Sequence, residues 1–168
     1  MTRIDPNTLA ADVLDRARTA GTMICTAESC TGGLVASRLT DIPGSSDVVD
    51  RGFVTYSNDA KTEMLGVDPR IIASHGAVSR EVARLMAQGA LMRSNADIAV
   101  SITGVAGPGG TLRKPAGLVH FALAVRGGQT LMQVKRFGDR GRDTVRQLAV
   151  QTALTLLLKG VDLVVQLD

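Results

Sequence analysis

The chain has 168 residues, 45% hydrophobic and 21% charged, with a formal net charge of +3. That length and composition suit one domain with a buried core and do not suit a disordered segment. An aromatic content of 2% argues against single-stranded nucleic acid, which needs stacking faces, so the basic excess points to a small phosphorylated molecule. No apolar run approaches the ~18–20 residues of a membrane span, and residues 1–6 carry no signal-peptide core, so a cytoplasmic protein is expected. Cys25 and Cys30 match no zinc spacing and read as reduced thiols, Cys25 in the core and Cys30 near the site, with no metal or cofactor implied.

In chain order, Asp5-Pro6 reads as the cap and first-turn proline of a helix that shares Leu9, Val13 and Ala17 on one face and ends near Gly21. Residues 22–27 form a short β-prone run leading into Glu28-Ser29-Cys30-Thr31-Gly32-Gly33, a turn of hydroxyls and paired glycines, and then a helix over 31–39. Turns of this kind aim backbone N–H groups at a ligand. Asp41-Ile42-Pro43-Gly44-Ser45-Ser46 breaks that helix, and residues 48–56 read as a strand with a bulge or an edge near Gly52. Asn58 is the predicted cap of a short helix to Leu65, Asp68-Pro69 starts another that stops by Gly76, and Ser79 opens a longer one with Val82, Leu85, Met86 and Gly89 toward the core.

Residues 98–102 are a buried strand that delivers the chain into the glycine-dense loop 103–110. Residues 117–125 and 130–137 pair as a hairpin across Arg126-Gly127-Gly128-Gln129. A final helix runs over 142–158 with Val145, Leu148, Ala149, Thr152 and Leu156 on one face, and 161–167 is either a last strand or an apolar tail. Strands that alternate with helices and then form a hairpin give a three-layer α/β/α domain with a mixed parallel and antiparallel sheet.

Seven stretches, taken together, resemble the CinA C-terminal domain family: Ala27-Glu28-Ser29-Cys30-Thr31-Gly32-Gly33, Pro43-Gly44-Ser45-Ser46, Thr55-Tyr56-Ser57-Asn58 with Lys61, Gly76-Ala77-Val78-Ser79, Thr103-Gly104-Val105-Ala106-Gly107-Pro108, Lys114-Pro115-Ala116-Gly117 and Phe137-Gly138-Asp139-Arg140. The resemblance implies a metal-free amidohydrolase that converts nicotinamide mononucleotide to nicotinic acid mononucleotide and ammonia, in pyridine-nucleotide salvage. It also implies a homodimer. Nothing in the sequence looks like the larger N-terminal domain that some members carry. Thr111-Leu112-Arg113 is shorter and more basic than the family pattern at that loop.

Within that reading neither His75 nor His120 falls in a family-like site segment, so the base for a serine nucleophile is assigned to a neutral lysine, Lys61. With Asn58 as cap, Lys61 stands at the third helical position, where the helix dipole opposes a cation by only ~0.3–1 kcal/mol. Burial has to supply the rest of its pKa shift, so Lys61 is expected to be largely buried. Ser46 is the preferred nucleophile and Ser29 its rival. Ser29, with the turn of Thr31, Gly32 and Gly33, would hold the carboxamide or its oxyanion. Thr103, Gly104 and Gly107 would assist from the glycine loop, Tyr56 would bond the lysine or lie on the pyridinium ring, and Ser45 would contact substrate. Arg140 is the first choice for the phosphate, with Arg142 and Arg146 one turn apart behind it. The competing readings are a non-catalytic nucleotide-binding or competence-associated interaction module, and a hydrolase of another small amide.

Overall fold

The computed structural model describes residues 6–167, so the predicted cap at Asp5 lies outside the described residues. The elements in order are α1 (Pro6–Thr19), β1 (Ile24–Glu28), α2 (Leu34–Thr40), a 3-10 turn (Ser45–Asp47), β2 (Val49–Val54), α3 (Asn58–Leu65), α4 (Pro69–His75), α5 (Arg80–Met92), β3 (Ile98–Gly104), β4 (Leu118–Val125), β5 (Thr130–Arg136) and α6 (Arg142–Val165). The five strands form one sheet in the order β2-β1-β3-β4-β5. β2, β1 and β3 are parallel; β4 pairs antiparallel with β3, and β5 antiparallel with β4. The inner strands β1 and β3 are buried almost throughout, as expected of parallel strands covered on both faces.

The helices divide between the two faces. α1, α2 and α6 pack on one side through residues such as Leu14, Val35, Leu39, Leu154 and Leu157. On the other, α5 lays Val82, Ala83, Met86 and Ala90 over Cys25, Ala27 and Ala99, with Leu65 and Ile72 of α3 and α4 around it. This is the three-layer α/β/α arrangement with a mixed sheet. Local chemistry explains the helix starts: Ser57, Asp68 and Ser79 accept hydrogen bonds from the amides of Ala60, Arg70 and Val82. The cap of α3 is therefore Ser57 and not Asn58, which moves Lys61 one position deeper into the helix.

The strand boundaries differ from the sequence reading by one or two residues, and two helices differ by more. α2 begins at Leu34, three residues later than expected, because the residues before it form the turn. The last strand is Arg136-terminated, one residue short of Phe137. α6 continues through Gly160 to Val165, so the residues read as a strand or tail are its last turns. Gly160 does not stop the helix because it is a contact point: a Cβ there would meet Leu123 and Ile98 side chains at 3.0 and 3.2 Å. The missing side chain lets α6 lie close to β3 and β4.

A second close approach seats the helix that carries Lys61. A Cβ at Gly89 of α5 would run into the carbonyl oxygen of Leu65 at the end of α3. The obstacle is backbone, so α3 as a whole must shift. Gly89→Ala is expected to cost about 1–3 kcal/mol or more in urea unfolding and to lower activity through displacement of Lys61. A Gly89→Ala protein with unchanged unfolding midpoint would show that α3 is not pinned there.

Candidate active site

The chain leaves β1 toward α2 on one face and reaches β3, on the other side of β1, through α5 on the opposite face. That makes the carboxyl ends of β1 and β3 a topological switch point, where open α/β sheets form their ligand crevice. A cavity of about 250 Å³ opens there, lined by residues that include Ser29, Cys30, Tyr56, Lys61, Thr103 and Arg142.

Lys61 is 1% exposed, with Phe121 among the largest fully buried side chains of the described residues. It folds back over the start of its own helix, and its Nζ donates to the carbonyl oxygens of Thr55 at 2.9 Å and of Tyr56 and Ser57 at 3.4 Å. The remaining contact of Nζ is Ser29 Oγ at 3.0 Å. No carboxylate pairs with Lys61 among the described residues. Burial drives its pKa below the ordinary value. Loss of solvation with no counter-ion favours the neutral amine, whose two N–H groups serve Thr55 and the Tyr56–Ser57 pair of carbonyls and whose lone pair can receive the proton of Ser29.

Ser29 is 8% exposed and Thr103 1%. Thr103 Oγ1 donates to the Ala77 carbonyl at 2.8 Å, which leaves its lone pairs for a ligand. Tyr56 is 61% exposed, at the mouth. Its hydroxyl accepts from Arg142 Nη2 at 2.8 Å, and Arg142 Nη1 donates to the Gly107 carbonyl at 3.0 Å, so α6 and the glycine loop meet over the cavity. Gly104 lines the cavity directly. Burial pushes the Cys30 thiol up to about 12, so this sulfur borders the site as a thiol and not as a thiolate.

Ser46 does not belong to this constellation. It is exposed on the 3-10 turn before β2, whereas Thr55 and Lys61 follow β2, and six strand residues separate the two ends by roughly 20 Å. Nearness in sequence to a strand leading to Lys61 placed Ser46 at the wrong end of that strand; Ser45 is removed from the cavity with it. The lysine meets Ser29 instead. Arg140 is exposed and does not border the cavity, while Arg142 does. Thr111, Leu112 and Arg113 are exposed on a small hairpin closed by Gly110 and Pro115 and do not line the cavity. His75 and His120 also stay outside.

The glycine turn works differently from a bare anion cradle. The fully buried Glu28 carboxylate accepts from the amides of Gly33, Val35 and Ala36 at 3.0, 3.1 and 2.9 Å, so the protein itself fills the N-terminus of α2. Gly32 and Leu34 amides go to Ser29 and Thr31 carbonyls. Gly32 and Gly33, at φ of +59° and +97°, make the tight path possible. This role of Glu28 is not reached by the sequence reading: α2 starts after Gly33 with no side-chain cap of its own, and the acceptor comes from five residues upstream.

A buried serine–lysine pair at the switch point of a mixed α/β sheet is the class of site defined here. The CinA C-terminal domain model matches residues 6–161, and the chain belongs to that family. It is 53% identical over 142 residues to a CinA-like protein of Mycolicibacterium gilvum, covering 84% of this chain and 33% of the relative. A CinA-like protein of Akkermansia muciniphila is 52% identical over 134 residues, covering 79% and 32%. The chain thus spans about a third of the length of these curated relatives. Among solved structures, competence/damage inducible protein CihA of Agrobacterium tumefaciens superposes with TM-score 0.91 at 51% identity, covering 95% of this chain and 98% of that one. A competence-damaged protein (CinA) superfamily protein of Escherichia coli gives 0.89 at 36% identity, with coverage of 94% and 92%.

Proposed function

We propose that this protein hydrolyses the carboxamide of nicotinamide mononucleotide, with Ser29 as nucleophile and Lys61 as its base. The observation that carries the reading is the 3.0 Å contact between Ser29 Oγ and the Nζ of a lysine that is 1% exposed and has no carboxylate partner among the described residues. Neutral Lys61 takes the hydroxyl proton as Oγ attacks the amide carbon. The proton then passes to the departing nitrogen, ammonia leaves, and an ester on Ser29 remains. A water, deprotonated by Lys61 in turn, releases nicotinic acid mononucleotide. Thr103 Oγ1 and Tyr56 OH border the path of the pyridine ring.

Arg142 takes the phosphate role first given to Arg140. It stands at the cavity wall, held by Gly107 and Tyr56, with guanidinium donors left over for an anion. Arg142→Gln is expected to raise KM for the mononucleotide about 10- to 100-fold, the loss of one charge-assisted contact, with a smaller effect on kcat. An unchanged KM would remove Arg142 from substrate binding. The reading as a whole is tested by ammonia release from the mononucleotide, from free nicotinamide and from the dinucleotide. Turnover of the mononucleotide is expected, and no turnover of any of the three would refute it.

A further inference from the structure

The turn after β1 is gripped from its far side by a residue the dyad does not use. Arg146, one turn into α6 and outside the cavity lining, donates from Nε to the Cys30 carbonyl at 3.2 Å and from Nη2 to the Thr31 carbonyl at 3.1 Å. The peptide between Cys30 and Thr31 is trans, so its N–H points opposite to its carbonyl and therefore away from the guanidinium. The next peptide shows which side that is. Its carbonyl, on Thr31, also faces Arg146, and its N–H, on Gly32, reaches the Ser29 carbonyl at 3.0 Å. The Thr31 amide thus points, like that of Gly32, to the side of the turn away from Arg146.

That amide is also free. Glu28 and the internal turn bonds take the N–H groups of Gly32 through Ala36, and Ser29 N–H goes to the Ile102 carbonyl. Among the described residues, the amides of Cys30 and Thr31 are the two in this turn with no hydrogen-bond acceptor, and of these only the Thr31 amide belongs to a peptide whose carbonyl Arg146 holds. A carbonyl that accepts from a cation polarises its peptide and strengthens the N–H at the other end as a donor.

We infer that Arg146 is a positioning residue for the oxyanion site: it fixes and polarises the Cys30–Thr31 peptide so that the Thr31 N–H receives the charge developing when Ser29 attacks. It is neither a phosphate ligand nor a solvated face of α6. The inference rests on Ser29 being the nucleophile, and not on the identity of the substrate.

The test uses a small dialkyl fluorophosphate, which needs the same nucleophile and oxyanion donor but no nucleotide contacts. Ser29 Oγ forms a bond to phosphorus, the phosphorus–fluorine bond breaks with loss of fluoride, and Lys61 accepts the serine proton. Rates of adduct formation are read by intact mass and mapped by peptide digestion, with thermal unfolding of each variant alongside. Wild type is expected to label at Ser29, and Arg146→Gln to label about 100-fold more slowly, the usual scale for loss of one oxyanion donor. Arg146→Lys, which cannot fork onto two carbonyls, should fall between them, and guanidinium ion in the tens of millimolar should restore Arg146→Ala at least several-fold. On the mononucleotide, kcat should fall while KM holds.

Labelling of folded Arg146→Gln within threefold of wild type would overturn the inference, as would a rise in KM with labelling intact. If Arg146→Gln does not fold, Arg146→Lys decides by the same criteria. Absence of any label on wild-type Ser29 would defeat both the nucleophile and the inference. Labelling without turnover of the mononucleotide would defeat the substrate reading and leave the inference standing.

Discussion

Ser29→Ala is expected to lower kcat/KM for the mononucleotide by at least about 10⁴-fold, while Ser46→Ala stays within about twofold of wild type. The size follows from covalent catalysis: without Oγ no ester forms, and only residual stabilisation by oxyanion donors and binding is left. Ser46 lies at the opposite end of β2 and has no path to the cavity. Stability should barely change in Ser29→Ala, since one hydroxyl is removed from a contact with an amine, so unfolding midpoints separate chemistry from folding. Steady-state assays of ammonia release on both variants check this. Retention of activity by Ser29→Ala with its loss in Ser46→Ala would reverse the assignment.

Lys61→Met should cost about 10³-fold or more in kcat, because the serine loses its base and the departing nitrogen its proton source. In wild type, kcat/KM should rise with pH and level off above the depressed pKa of Lys61, since only the neutral amine accepts the proton. The same shift has a consequence for stability. Between the native pKa and the ordinary value of 10.5, the unfolded state holds a proton that the native state has released. Wild-type stability therefore gains with rising pH in that window, while below it the full cost of a buried charge is present. Lys61→Met lacks this titration. The stability of the variant minus that of wild type should accordingly shrink with rising pH, by about 1.4 kcal/mol per pH unit inside the window. Urea unfolding at several pH values measures it. A difference independent of pH would mean that Lys61 is not held neutral.

Much of this site is legible in the chain because two of its parts are short-range. The Ser29 turn follows a buried strand, and Lys61 sits near a helix start where the dipole is too weak to neutralise it, which makes burial the main source of a lowered pKa. The choice between Ser29 and Ser46 is a question of which strand end faces the crevice, and that is a property of sheet order. β1 lies between β2 and β3, and no local pattern states that. The switch-point rule would have singled out Ser29 and Thr103 together, had the order of strands been known.

The arginines illustrate the same limit. Arg140, Arg142 and Arg146 look alike as a basic cluster, yet the helical path sends Arg142 to the cavity wall and Arg146 beneath the Ser29 turn, while Arg140 stays in solvent. Glu28 is hidden for a different reason: its partners are backbone amides five to eight residues away, and backbone amides have no sequence signature. Ser57 and Asn58 are both good caps by residue type, and geometry selects Ser57 for α3.

The most direct measurement is partition of the reaction by hydroxylamine. Wild type and Ser46→Ala are incubated with the mononucleotide and rising hydroxylamine, and ammonia, acid and hydroxamate are quantified. An ester on Ser29 should be captured, so hydroxamate is expected to grow at the expense of the acid, and Ser29→Ala should form neither product. Ammonia release with no hydroxamate at any hydroxylamine concentration, or hydroxamate formation that survives Ser29→Ala, would contradict a covalent step at Ser29.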